Sequence, residues 1–291
     1  MLFYLGLSGF SLGQDKNQKA PEPSYAEAGP AVLRHPGVDT DVGLYINHWR
    51  DSAPREEHGG LVERDILTPG DPQHPGVKGA VLKYIKSYRY AVLLGGAGTA
   101  PFRRDDRQTF FYVMSGEGRI EAGQKQAEAA EGTAVFVPAG REFRWLNPGR
   151  APLEMIAVEE ATGGGFEPSR EISVGSYHDS RPIVGAHWAH IARPFAYDKE
   201  PTFYNPMGFI VVSLDDFDIA QPHSHPPGAE EIWLQLKGRS LLFFGNHLLR
   251  QEPGAAFLVP PNSKVPHASI HPGGGPVLWL YMGCRRPEEE K

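Results

Sequence analysis

Four side chains carry the chemistry this chain can be expected to perform: His223, His225, Glu231 and His267. Residues 209–214 and 232–236 around them are rich in β-branched and aromatic types and are predicted as strands. Residues two apart on an extended segment project to one face, so His223 and His225 can grip the same ion. The Pro226-Pro227-Gly228 turn then returns the chain and brings Glu231 beside the pair, while His267 must arrive from a more distant strand. Three imidazoles and a carboxylate facing one interior form a mixed nitrogen/oxygen set that suits a divalent transition metal.

The spacing of the surrounding glycines and prolines strengthens this reading. Gly238 follows Glu231 by seven positions, Gly254 opens a turn, Pro260 comes six residues later, and His267 follows. Over residues 217–283 this resembles the two-part signature of the cupin superfamily, with HxH, Glu and Gly in the first part and Gly, Pro and His in the second. Five residues separate His225 from Glu231 where the family usually has three or four, which leaves Glu230 as a rival ligand. Glu231 is preferred because the family's glutamate precedes its glycine by seven positions, and because adjacent strand residues point to opposite faces. Asn262 stands where a glycine is typical, His267 sits two residues later than usual, and His271 occupies a place where Asn is common. The second-part loop is therefore predicted to be longer than usual.

The chain also repeats itself. A shift of 122 positions lays Gly116 on Gly238, Gly123 on Gly245, Gly132 on Gly254 and Pro138 on Pro260. The same shift puts Pro101 under His223, Arg103 under His225 and Thr109 under Glu231, with Phe143 or Trp145 under His267. None of these replaces an imidazole or carboxylate ligand. The first copy is predicted to keep the barrel and lose the metal.

At 291 residues the chain suits two units of ordinary domain size, and its 34 glycines and 27 prolines supply the frequent turns that short strands need. Further strands are predicted at 91–94, 109–114, 134–137, 152–158, 240–244, 255–259 and 276–282, with hairpin turns at Ala122-Gly123 and Gly245-Asn246. The expected fold is all-β, and the resemblance makes it two tandem cupin (jelly-roll) barrels. The expected organisation is a leader or signal-like segment and linker over residues 1–30, an N-terminal barrel without metal ligands over 31–165, and a C-terminal barrel with the metal site over 166–291. Residues 2–12 are apolar but too short to span a bilayer and lack a basic start. A truncated signal peptide there would imply a periplasmic or secreted protein, and a plain leader a cytoplasmic one.

A net charge of −6 with no basic stripe argues against nucleic acid as a partner, and no membrane span is predicted. Cys284, the single cysteine, excludes an intramolecular disulfide and a thiolate metal site. His58-Gly59-Gly60 and His74-Pro75-Gly76 read as turns, and His187 and His190 as structural. The resemblance implies one divalent transition metal (iron, manganese, zinc or nickel) and a small-molecule substrate, with a homodimer as the expected assembly if there is one. Within the family a dioxygenase acting on an organic acid, catechol-like or sugar-derived substrate is favoured, since an open redox metal in an apolar chamber suffices for it. The alternatives are an isomerase or epimerase, a lyase, and a non-catalytic binding protein. Isomerisation needs an acid/base beside the ion, for which His271, Tyr281 and Glu230 are candidates.

Overall fold

Glycine and proline cut the chain into short extended runs, and in the computed structural model these runs assemble into two barrels. The structure describes residues 41–184, 188–195, 203–205 and 207–285. The leader and linker expected before residue 41, and His187, lie outside the described residues. Each barrel pairs one large sheet with one small one. In the first, the large sheet runs Ser173–Ser176, Thr133–Val137, Arg107–Ser115, Leu153–Ala161, Ile85–Leu93, Leu61–Pro69, Arg55–Glu57, and the small one Arg144–Leu146, Glu117–Ala122, Lys125–Ala130. In the second, the large sheet runs Ile46–His48, Ala255–Leu258, Ala229–Lys237, Val277–Arg285, Met207–Leu214, His190–Ala192, Ile183–Val184, and the small one His247–Gln251, Ser240–Phe244, His267–Ile270. The expected all-β double barrel is the architecture observed. Among the described residues no helix is long and apolar enough to cross a membrane.

Two strands cross between the repeats. Ile46–His48, from the start of the chain, adds to the second barrel beside Ala255–Leu258, and Ser173–Ser176 adds to the first beside Thr133–Val137. Each exchanged strand covers an edge whose N–H and C=O groups would otherwise be unpaired. We keep the boundary between the repeats at residues 165/166 as a proposal, in the stretch between Leu153–Ala161 and Ser173–Ser176.

Both faces of each large sheet are buried, which is why the strands read as near-continuous apolar runs. On Arg107–Ser115, Phe111 and Val113 fill the first barrel's interior while Phe110 and Tyr112 face the other way. The outward set packs against the second barrel, with Phe110 at 5.8 Å from Phe209, ring centre to ring centre. Reciprocal carboxylate clamps pin the seam. Glu230 of the second barrel accepts from the backbone N–H groups of Lys83 (3.1 Å), Tyr84 (2.7 Å) and Ile85 (3.4 Å), which lead into a first-barrel strand. Glu160 of the first barrel accepts from Tyr204 N (3.3 Å) and Asn205 N (2.6 Å), just ahead of Met207–Leu214. The 122-residue repeat carries Lys83 onto Asn205, so the donor segments correspond, whereas the acids lie on neighbouring strands, Gln108 standing where Glu230 stands.

The first barrel's interior holds a charge network that the sequence reading missed. The His58 turn forms as expected, with positive φ at His58, Gly59 and Gly60, but the His58 ring is buried inside the barrel. It bonds Glu63 through Nδ1 and faces Glu159 at 3.4 Å through Nε2. Arg104 and Arg107 each reach Glu159 at 3.0 Å, and Arg89 reaches Glu63 at 3.3 Å and Glu159 at 3.5 Å. Burial alone would lower the His58 pKa, but its contacts with Glu159 and Glu63 raise it to about 9. Burial would likewise raise Glu159, yet His58, Arg89 and Arg104 hold it well below the usual carboxylate range.

A group whose folded-state pKa is raised adds stability that is fully present below its unfolded value, near 6.5, and is lost as pH climbs through about 9. His58→Gln should therefore cost on the order of 3 kcal/mol at pH 6, with the gap to wild type closing by pH 10; denaturant unfolding across that range measures it, and a gap independent of pH would contradict the imidazolium. A fragment spanning 166–291 should aggregate, because it loses Ile46–His48 from its sheet and bares Phe209 and its neighbours. A soluble, metal-loaded fragment would count against the first barrel as a required scaffold.

Candidate metal centre

The four predicted ligands converge. One ligand atom from each of His223, His225, Glu231 and His267 lies within 4.8 Å of every other. The His223 ring stands 4.8 Å from His225 and 4.2 Å from His267, and His225 stands 5.3 Å from His267. Glu231 is central: Oε1 lies 3.0 Å from His267 Nε2 and 3.9 Å from His223 Nε2, and Oε2 lies 2.9 Å from His225 Nε2.

Each ligand is placed by a definite backbone feature. Glu231 lies in Ala229–Lys237, where its carbonyl accepts from Val259 N at 2.9 Å. His267 opens His267–Ile270 and forms an antiparallel bridge with His223, exchanging N–H···O bonds of 2.9 and 3.3 Å. The extended segment through His223 and His225 does not form a regular strand. Pro222, Pro226 and Pro227 remove the donors a ladder needs, so only His223 joins a bridge, and His225 is anchored by its carbonyl accepting from Ser263 N at 2.7 Å. The two side chains still meet, because the segment stays extended between the prolines.

The neighbouring polar groups orient the donors. His223 Nδ1 lies 3.0 Å from the Gln221 carbonyl, which makes Nδ1 the protonated nitrogen and turns Nε2 towards Glu231. Trp233 Nε1 donates to Glu231 Oε1 at 2.7 Å, and its ring stacks on Trp279 at 5.0 Å and meets His267 edge-on at 4.9 Å. An indole under the carboxylate was legible only as an aromatic near the site. Burial pushes Glu231 up, but the imidazoles of His225 and His267 override it and hold the carboxyl well below its ordinary range. Burial lowers His267 against the pull of Glu231. An ionised carboxylate beside a buried imidazole disfavoured as a cation is the protonation state a metal requires. His267 Nδ1 is buried with no hydrogen-bond partner among the described residues. The residues fit a divalent ion.

Glu230, the rival, is excluded from the cluster: it points across the seam to Lys83, Tyr84 and Ile85, and burial raises its carboxyl to about 7 against the pull of those three N–H donors. His271 lies at the far end of His267–Ile270, about 13 Å along the strand at the usual rise. There its Nδ1 accepts from Gly273 N at 2.9 Å and its Nε2 faces Asp216 at 3.3 Å. Tyr281 lies opposite Trp233 in the ladder, on the same inward face as Glu231.

The backbone also corrects the register of the first repeat. Phe102 bridges Phe143 as His223 bridges His267, and Arg104 accepts from Gly140 N as His225 accepts from Ser263 N. Phe102 and Arg104, rather than Pro101 and Arg103, therefore occupy the ligand positions, and Phe143 rather than Trp145 replaces His267. A one-residue difference in the loop before Arg107–Ser115 breaks the simple shift.

His225→Ala should remove most bound metal, by 10-fold or more in affinity, while leaving the thermal midpoint close to wild type, since barrel packing supplies most of the stability. The adjacent acids should separate: Glu231→Ala loses metal, whereas Glu230→Ala keeps it and costs about 2–4 kcal/mol by orphaning buried N–H groups. Metal stoichiometry and unfolding curves on the same samples check both.

Comparison with known proteins agrees with this fold. A cupin domain model matches residues 89–159, within the first barrel. A mannose-1-phosphate guanylyltransferase from Klebsiella pneumoniae is 30% identical over 74 residues, which is 25% of this chain and only 16% of that protein. Among solved structures, a putative glyoxylate-induced protein from Pseudomonas aeruginosa superposes with a TM-score of 0.62 at 14% identity, covering 82% of this chain and 81% of the other. A mutant of Bacillus subtilis oxalate decarboxylase gives 0.62 at 13%, covering 85% and 79%. The Escherichia coli pirin YhhW in complex with nickel(II) gives 0.61 at 11%, covering 83% and 98%. The family model thus marks a cupin domain in the first barrel, and the solved structures share the paired-barrel fold of the whole chain.

Proposed function

We propose that this protein is a metal-dependent enzyme of the dioxygenase kind, acting through its second barrel on a small oxygen-rich substrate such as a hydroxy-acid, catechol or enediol. The observation that carries the reading is the convergence of three imidazoles on one ionised, buried carboxylate at a barrel mouth. His223 and His225 each keep 18% of their side-chain surface exposed, while His267 is fully covered. An ion held there would have protein on one side and solvent access on the other, which suits a reacting centre better than a closed structural one. His223, His225, Glu231 and His267 would hold such an ion, and it would supply Lewis-acid or redox chemistry to a chelating substrate or to O₂.

The chain's own residues shape what can happen there. Trp233, Trp279 and Phe257 wall the site with apolar rings, excluding water from its inner side. Trp233 fixes the carboxylate through its indole N–H, so Glu231 cannot swing away when substrate enters. The isomerase and lyase alternatives share the metal and would need an acid/base beside it, for which Tyr281, on the same inward face as Glu231, is the candidate.

Protein purified without a metal-affinity tag should contain iron, and should consume O₂ with at least one member of a panel of catechols, hydroxy-acids and diketones. Elemental analysis paired with an oxygen electrode tests this. Zinc or manganese with no uptake would sink the dioxygenase assignment in favour of isomerase or lyase.

A further inference from the structure

Two glycines interrupt the inward face of the second barrel beside the metal centre. Gly208 and Gly283 are cross-strand partners, and Gly283 in turn stands opposite Glu231. Gly208, Gly283 and Glu231 thus form one row across the sheet. A glycine inside a strand costs roughly 0.5–1 kcal/mol relative to alanine, so a pair of them calls for a reason.

The reason is the ring of Tyr281. A Cβ on Gly283 would fall 2.5 Å from the Tyr281 hydroxyl oxygen and 2.9 Å from its Cζ, and one on Gly208 would fall 3.0 Å from its Cε1. Tyr281 itself sits one row further in, between Ile210 and Trp233. The stacked indoles of Trp233 and Trp279 occupy the space ahead of it, so the ring lies back over the two glycines. This carries its hydroxyl to the row of Glu231, about one strand spacing (~4.8 Å) away. The first barrel lacks both parts: the corresponding row is Ser87, Glu159 and Thr109, and Ala157 stands where Tyr281 would be. Seat and phenol occur together, in the barrel that has the ligands.

We propose that Gly208 and Gly283 are positioning residues that seat Tyr281, and that its hydroxyl donates a hydrogen bond to an anionic oxygen of a chelating ligand held at the metal. The substrate class this selects is a bidentate oxygen anion, such as a hydroxy-acid or an enediolate. The inference rests on the metal reading above.

The test uses the full-length protein loaded with cobalt(II), whose visible spectrum reports ligand exchange, titrated with acetohydroxamate as a bidentate oxygen anion. Tyr281→Phe keeps the ring and the packing, and should weaken acetohydroxamate about 10- to 100-fold, the span for one hydrogen bond to a charged group, with cobalt stoichiometry unchanged. Gly283→Ala should produce a similar loss by displacing the ring, and adding it to Tyr281→Phe should cost no more than about two-fold further. Tyr281→Phe within about two-fold of wild type would overturn the proposal while leaving the metal centre intact, as would a Gly283→Ala loss that adds in full to that of Tyr281→Phe. Cobalt-loaded wild type that shows no response to the hydroxamate would also overturn it. Wild type that takes up no cobalt would overturn the metal reading, and this inference with it.

Discussion

Two adjacent glutamates on one strand set the organisation of this molecule. Because side chains alternate across a sheet, Glu230 and Glu231 must leave Ala229–Lys237 on opposite faces. Glu230 goes outward and accepts three backbone N–H groups from the other barrel, while Glu231 goes inward to three imidazoles. The seam between the halves and the candidate metal centre are thus fixed by consecutive residues of one rigid element. A slip of one residue in that strand's register would exchange their roles, placing a metal ligand in the seam. The ladders to Ala255–Leu258 and Val277–Arg285 on either side prevent it.

The two barrels show two ways of neutralising a carboxylate buried at the same level of one fold. In the first, the acid has moved one strand over, to Glu159, and its charge is met by His58, Arg89, Arg104 and Arg107. Phe102, Phe111 and Phe143 pack around the His58 ring, and Phe102 and Phe143 stand where His223 and His267 stand in the second barrel. An internal cation thus satisfies the electrostatics that an ion would otherwise satisfy, and the aromatic rings fill the volume. In this copy basic side chains, rather than a set of ligand imidazoles, balance the buried carboxylate. In the second barrel there is no arginine beside Glu231 among the described residues, and its charge is met by imidazoles alone.

Much of this was legible in the sequence because it is local or periodic. The HxH pair, the glutamate at its distance from Gly238, and the repeat of glycines and prolines all survive translation into structure, since each depends on turn chemistry or strand alternation. Most central strands were found within a few residues, but Leu61–Pro69 was missed, Ile85–Leu93 was found only at its end, and short strands such as Ile46–His48 and Ser173–Ser176 were not found. Those owe their conformation to pairing with a distant edge, which no local pattern encodes. The His58 turn was read correctly from its glycines, yet the burial of its ring depends on Glu63 and Glu159, five and about one hundred residues away. His271, attractive on a linear reading, shows the converse: four residues of extended chain carry it about 13 Å along the strand from His267.

The first barrel's retention follows from the same accounting. Both faces of the second barrel's large sheet are apolar, and only the inner one is covered by the barrel's own side chains. Phe209, Val211, Ile232, Leu234 and Met282 face the seam, and each buried aliphatic or aromatic side chain of this size is worth about 1.5–3 kcal/mol relative to exposure. A surface of that kind left open would exceed what a soluble monomer tolerates, so the partner barrel is needed for cover whether or not it binds anything. The outward faces and the reciprocal clamps supply that cover without any contribution from the first barrel's interior. It needed only to remain packed and charge-balanced, and the His58 network with its surrounding phenylalanines meets both conditions.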